Sequence, residues 1–263
     1  MGSLERNNVN VVGRGEKILM FGPGFGCDQN VWRHIVKEIS GEYKIMLYDN
    51  VGCGKSDKSA YDKEKYNSLQ GYADDILEIL EDLNLGKVSF VGHSVGATIG
   101  MLAVVKDPSK FEKLLMIGPS PRYINDPPEY IGGFEQEQME GILQIMENDY
   151  TAWAKTFGPV IMGNADRPEL GEELTDNFCS VDPEIAKHFG RVTFLNDCRS
   201  ELPKIKVPTL ILQCSEDVIA PFEVGNYLQK NIPVSTLRVL NATGHCPHLS
   251  FPDETIEAIK MFV

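Results

Sequence analysis

The stretch KVSFVGHSVGATIG, residues 87–100, limits what this chain can fold into more than any other. An apolar run, Val88 to Val91, stops at Gly92. Ser94 then stands between Gly92 and Gly96, and a helix-compatible run follows. Glycines two residues either side relieve crowding in a tight turn. The pattern therefore predicts a strand that ends, bends sharply and passes into a helix, with the Ser94 hydroxyl projecting above the sheet.

The rest of the chain alternates in the same way. Strand-like runs fall at 8–13, 17–21, 43–49, 113–118, 209–214 and 236–240. Helical spacing appears at 30–39, 69–85, 95–105, 223–230 and 253–262; in the second of these, Leu69, Tyr72, Ile76, Ile79, Leu80 and Leu83 share one face. Continuous apolar strands between amphipathic helices predict an α/β domain with a mostly parallel central sheet covered on both faces. One region breaks the rhythm. Residues 126–198 hold no strand run but helical stretches at about 134–147, 150–162, 168–178 and 183–194. The expected organisation is a core of 1–125 and 199–263 with a four-helix lid, 126–198, above a pocket at the strand C-termini.

Composition narrows the function classes. A chain of 263 residues with 42% apolar and 24% charged residues can bury a full core as one unit. Its net charge of −13 argues against nucleic acid or an anionic membrane as a partner. No apolar stretch approaches 18 residues, the length a membrane span needs. The opening MGSLERNNVN lacks the basic and apolar regions of a signal peptide. Six cysteines, with no CxxC pair among them, suggest reduced thiols and a cytoplasmic location.

A lone serine hydroxyl is a poor nucleophile and needs a base oriented by a carboxylate. With serine at a strand–helix turn, the acid and then the base follow in the chain. Three histidines follow Ser94: His188, His245 and His248. His188 falls in the helical insertion. His245 is the expected base, because Gly244 before it permits a tight loop after the last strand; His248 is expected to be a structural loop residue. The acid should follow the preceding strand, where Glu216 and Asp217 stand; Asp217 is the expected member and Glu216 its exposed neighbour. Asp49, ahead of Ser94, reads as a turn carboxylate. The backbone N–H of Val95, at a helix N-terminus, is the first expected oxyanion donor. The second is the N–H of Phe25 in GPGFGCDQ, which Pro23 does not disturb.

At this point the residues show a resemblance. GPGFGCDQ, YDNVGCGKSD, GHSVGA, SPRYINDPPEYIGGFEQEQ and GHCPHLSFPDE together resemble the RsbQ-like bacterial stress-response regulators, a group related to the plant karrikin and strigolactone receptors. The resemblance covers nearly the whole chain. It implies an α/β-hydrolase fold with a four-helix lid over a deep apolar pocket, and a triad that maps onto Ser94, Asp217 and His245. It implies a role in energy-stress signalling upstream of a general-stress sigma factor, with a PAS-domain phosphatase as partner and a small hydrophobic ligand. The acidic lid residues Glu135, Glu137, Glu140, Glu147, Glu169, Glu172 and Glu173 offer that partner a surface.

Six residues are expected to line the pocket: His93, Tyr123, Phe134, Trp153, Phe157 and Phe194. Cys27 and Cys246 are expected to pack. No cofactor or metal is expected, since His245 and His248 have no third ligand nearby in sequence. The functions that fit are a serine hydrolase of small hydrophobic esters or lactones, a ligand receptor with slow or incidental hydrolysis, and another reaction on the same fold.

Overall fold

The computed structural model describes residues 2–263. Seven strands form one sheet: β1 (Asn10–Val12), β2 (Ile18–Gly22), β3 (Lys44–Leu47), β4 (Val88–His93), β5 (Phe111–Ile117), β6 (Thr209–Glu216) and β7 (Ser235–Thr243). The helices in chain order are α1 (Ser3–Arg6), α2 (Arg33–Ile39), α3 (Leu69–Leu83), α4 (Val95–Lys106), α5 (Gln136–Asn148), α6 (Tyr150–Met162), α7 (Pro168–Ser180), α8 (Pro183–Phe194), α9 (Phe222–Asn231), α10 (Pro247–Ser250) and α11 (Pro252–Phe262).

The strand order is β1-β3-β2-β4-β5-β6-β7. Only β1 is antiparallel, and it closes one edge against β3. The other pairs are parallel. Every residue of β4 is buried, as is α4 from Val95 to Val104. A strand and helix apolar on all sides belong at the centre of a covered sheet, and here they are. The order reverses between β2 and β4. In an open parallel sheet the loops leaving two such strands diverge and leave a crevice above their C-terminal ends. The loop after β2 carries Phe25, and the turn after β4 carries Ser94.

Between β5 and β6 the chain forms α5 to α8. Three of these helices converge on one side chain from the core. The Phe25 ring lies 5.9 Å from Trp153 of α6, 5.7 Å from Phe178 of α7, and 5.4 and 5.7 Å from Phe189 and Phe194 of α8. The inserted helices thus roof the crevice. Two polar ties also hold them down. Arg33 of α2 makes a bidentate pair with Glu173 of α7, at 2.5 and 2.7 Å. Tyr61 meets His188 Nδ1 of α8 at 2.8 Å.

These ties alter the expected acidic surface. Glu173 is engaged with the core, Glu147 pairs with Arg191, and Glu135 caps α5. Glu169, Glu172 and Asp176 remain along one shallow groove of α7. No helix among the described residues is long and apolar enough to cross a membrane.

Candidate active site

The turn after β4 explains its own glycines. Ser94 has φ 54° and ψ −125°, a conformation that L residues rarely adopt. A Cβ at Gly92 would lie 2.5 Å from Ala97 Cα, and one at Gly96 would lie 2.4 Å from the Pro23 carbonyl oxygen. Strand, helix and the loop after β2 meet backbone to backbone, and only glycine fits between them. The Ser94 N–H donates to the Ile117 carbonyl at 2.8 Å, which fastens the strained turn to β5. Strain of this kind persists only where its surroundings enforce it.

Two loops bring partners to the hydroxyl. Ser94 Oγ lies 2.8 Å from His245 Nε2, and His245 Nδ1 lies 2.7 Å from Asp217 Oδ2. Asp217 Oδ1 accepts the N–H groups of Ile219 and Ala220 at 2.8 and 3.2 Å. Burial works against the Asp217 charge, but His245 and those N–H groups outweigh it and hold the carboxyl below its usual range. An ionised Asp217 only accepts, so Nδ1 of His245 carries the proton. Nε2 then presents a lone pair to the Ser94 hydroxyl.

The backbone of His245 is held from two further sides. Its N–H donates to the Ile161 carbonyl of α6 at 3.0 Å. Its carbonyl accepts from His93 Nε2 at 2.8 Å. Gly244 has φ +86°, and a Cβ there would stand 1.8 Å from the Met162 carbonyl oxygen. A side chain at that point would collide with the end of α6. Glu216 is exposed at the end of β6 and accepts from Thr243. Asp49 accepts the N–H groups of Gln29 and Lys55, so it braces two turns.

Phe25 lines the cavity over Ser94, and Val95 follows Ser94 directly as the first residue of α4. Among the described residues neither backbone N–H meets a backbone acceptor. A helix leaves the N–H of its first residue unpaired.

A small cavity of about 30 Å³ lies over Ser94. His93, Tyr123 and Phe194 line it. Three of the expected lining residues do not reach it. Trp153 is buried one layer back, edge-on to Phe25 and stacked between Tyr150 and Phe157. Phe157 stands behind Trp153. Phe134 is drawn to the outer face, because its backbone pairs with Tyr123 and Asn125; its ring borders a shallow groove with Glu137 and Ile145. In their place the roof supplies Ile161, Leu174, Phe178 and Thr193, and the acid loop supplies Ile219. Leu174 and Phe178, four apart on α7, were findable as one helical face.

Cys27 and Cys246 also line the cavity. Burial, with the neighbouring charges adding to it, raises both thiols far above their usual range, so they are apolar packing groups. His248 is buried between His93 and Trp32, with ring centroids 4.4 and 4.6 Å away. Among the described residues no cluster of His, Cys, Asp or Glu side chains is arranged to hold a metal.

Burial also neutralises two of these imidazoles. It lowers His93 to about 3, the charge of His245 adding to the effect. It lowers His248 well below the usual histidine range, with His93 and His245 contributing. In an unfolded chain both would titrate near pH ~6.5. Below that pH the unfolded chain binds protons that the folded one refuses, so stability must fall with falling pH. Each histidine then costs about 1.4 kcal/mol per pH unit, down to its folded value. Thermal melts should be flat near neutrality and decline steadily below about pH 6.5. A melting temperature that held constant down to about pH 5 would contradict the buried, neutral assignment.

A seven-stranded, mostly parallel sheet with a serine on a strained strand–helix turn and a helical roof defines a class. The model of the alpha/beta hydrolase family matches residues 19–258, and the chain belongs to that family. Its relatives include a strigolactone esterase, RMS3, of Pisum sativum, 39% identical over 95% of this chain and 93% of the relative. The karrikin insensitive 2 receptor CA of Petunia hybrida is 37% identical over 97% of this chain and 94% of the relative. The structure of a hydrolase from Oleispira antarctica, 40% identical, matches with a TM-score of 0.96 over 99% of this chain and 95% of that one.

Proposed function

We propose that this protein is a serine hydrolase of small, largely apolar esters or lactones. The observation that carries this is the hydrogen-bonded chain Ser94–His245–Asp217 beneath an apolar cavity. Ser94 Oγ attacks the substrate carbonyl carbon while its proton passes to His245 Nε2. The carbonyl oxygen becomes an oxyanion, which the N–H groups of Phe25 and Val95 stabilise. Asp217 keeps the imidazole in the right tautomer and balances its transient charge. The C–O bond breaks, and His245 returns the proton to the leaving alkoxide; in a lactone that alkoxide stays tethered. Water, deprotonated by His245, then frees the acyl group from Ser94.

A second reading has its own observation. The cavity over Ser94 is lined mostly by apolar side chains, as suits the binding of one small ligand. The receptor names among its relatives favour the same view. Turnover separates the two. With p-nitrophenyl butyrate and γ-heptalactone in excess, the hydrolase releases many products per chain. A burst of one equivalent followed by a stall would instead identify a receptor with incidental hydrolysis.

The finer role follows the resemblance to RsbQ-like proteins. In that reading a cytoplasmic chain acts upstream of a general-stress sigma factor, and a PAS-domain phosphatase docks on the α7 groove at Glu169, Glu172 and Asp176. Its support is the sequence motifs and the acidity of that groove.

A further inference from the structure

Thr193 is a buried hydroxyl with nothing to bond. It sits near the end of α8, it is 1% exposed, and it lines the cavity above Ser94. Among the described residues its Oγ1 has no hydrogen-bond partner. Threonines inside helices usually escape this by donating to the carbonyl four residues back. The same protein does so elsewhere. Thr156 donates to Ala152 at 2.8 Å, Thr175 to Gly171 at 2.8 Å, and Thr255 to Phe251 at 3.1 Å. Thr193 has the Phe189 carbonyl at that spacing and does not use it.

Buried polar groups are nearly always paired, and an unpaired donor is rarer than an under-used acceptor. One other cavity-lining residue, His93, also leaves a ring nitrogen unpaired. Its Nδ1 is turned to the backbone at Gly24, where a Cβ would stand 2.6 Å away. Thr193 is thus a polar residue among the roof side chains that line the cavity, with its buried hydroxyl unpaired, whereas Ser94 lies on the core side. The other roof residues there, Ile161, Leu174, Phe178 and Phe194, are apolar.

We infer that Thr193 is a specificity-determining residue, and that the substrate carries a second hydrogen-bond acceptor, remote from its scissile carbonyl, which the Thr193 hydroxyl binds. This deepens the hydrolase reading and rests on it. The substrate class becomes a small ester or lactone with an apolar body and one further oxygen, such as an ether or a second carbonyl. A fully hydrocarbon-substituted lactone of the same shape would leave the hydroxyl orphaned in the closed complex. One neutral hydrogen bond sets the expected discrimination at roughly tenfold.

The test uses γ-butyrolactones in matched pairs, one bearing a propyl group and the other a methoxymethyl group, with the substituent on each ring carbon in turn. For at least one pair the wild type should favour the ether in kcat/KM by roughly tenfold. Thr193→Val, which keeps the shape and removes the hydroxyl, should bring that ratio close to one. Thr193→Ser should restore most of it. Thr193→Val should also melt at or above the wild-type temperature, since it deletes an unpaired group.

Equal ratios in wild type and Thr193→Val, at every ring position, overturn the proposal; so does a Thr193→Val protein that melts well below wild type, which would mean the hydroxyl is already satisfied. A hydroxyl that merely holds a trapped water gives the first of these results. Thermal shifts of Ser94→Ala with the same pairs read binding without chemistry. A Thr193-dependent shift with no hydrolysis by the wild type would sink the hydrolase reading and leave the Thr193 proposal standing. Hydrolysis with no Thr193-dependent ratio does the opposite.

Discussion

Ser94→Ala is expected to lower hydrolysis of p-nitrophenyl butyrate by about five to six decades. It should also abolish labelling by a fluorophosphonate. The substitution removes one oxygen and leaves the turn intact, because the glycines and the Ser94 N–H bond to Ile117 hold it there. His245 Nε2 then faces a methyl group and has no proton to take. The oxyanion donors and the cavity survive, so ligand binding should persist. Labelling that continued at full strength in Ser94→Ala would place the nucleophile elsewhere.

Asp217→Asn comes second, with an expected loss of about four decades in kcat. The geometry says why so small a change costs so much. Asp217 Oδ1 accepts two backbone N–H groups, so an asparagine will keep its carbonyl oxygen on that side. Its NH2 group must then face His245 Nδ1 and donate to it. The imidazole is driven into the opposite tautomer, and Nε2–H points at Ser94 with no lone pair to offer. The fold should be unaffected. A loss below about tenfold would mean that another carboxylate orients the base, and Glu216 would be tested next.

Much of this was legible in the sequence, for identifiable reasons. The turn at Ser94 is spelled by glycines whose Cβ positions are occupied by backbone, and such crowding leaves no other residue to choose. Gly244 is a similar case, under the Met162 carbonyl. Chain order then singles out Asp217 and His245, since few acids and histidines follow strands that late. The four inserted helices were legible because their apolar periodicity is helical and their starts carry Asp149, Pro168 and Pro183.

What was not legible depends on tilt and on edges. Helical period tells which residues of α6 share a face, but not that Trp153 would pack edge-on to Phe25 and leave the cavity lining to Ile161. Thr193 carries no sequence signal at all, because its hydroxyl stands out only against the back-bonded Thr156 and Thr175. The last strand was expected at 236–240 and runs Ser235–Thr243. It lies at the sheet edge, where polar residues alternate with half-exposed apolar ones and blur its ends. The opposite edge, β1, gave no hint from its three residues that it would run antiparallel.

One contact described above makes the protein an interlock. His245 takes part of its backbone support from α6, through the Ile161 carbonyl, and Gly244 passes hard against the end of that helix. Raising α6 to admit a substrate would therefore unseat His245 in the same movement. An α6 that stays in place keeps His245 in register with both Ser94 and Asp217.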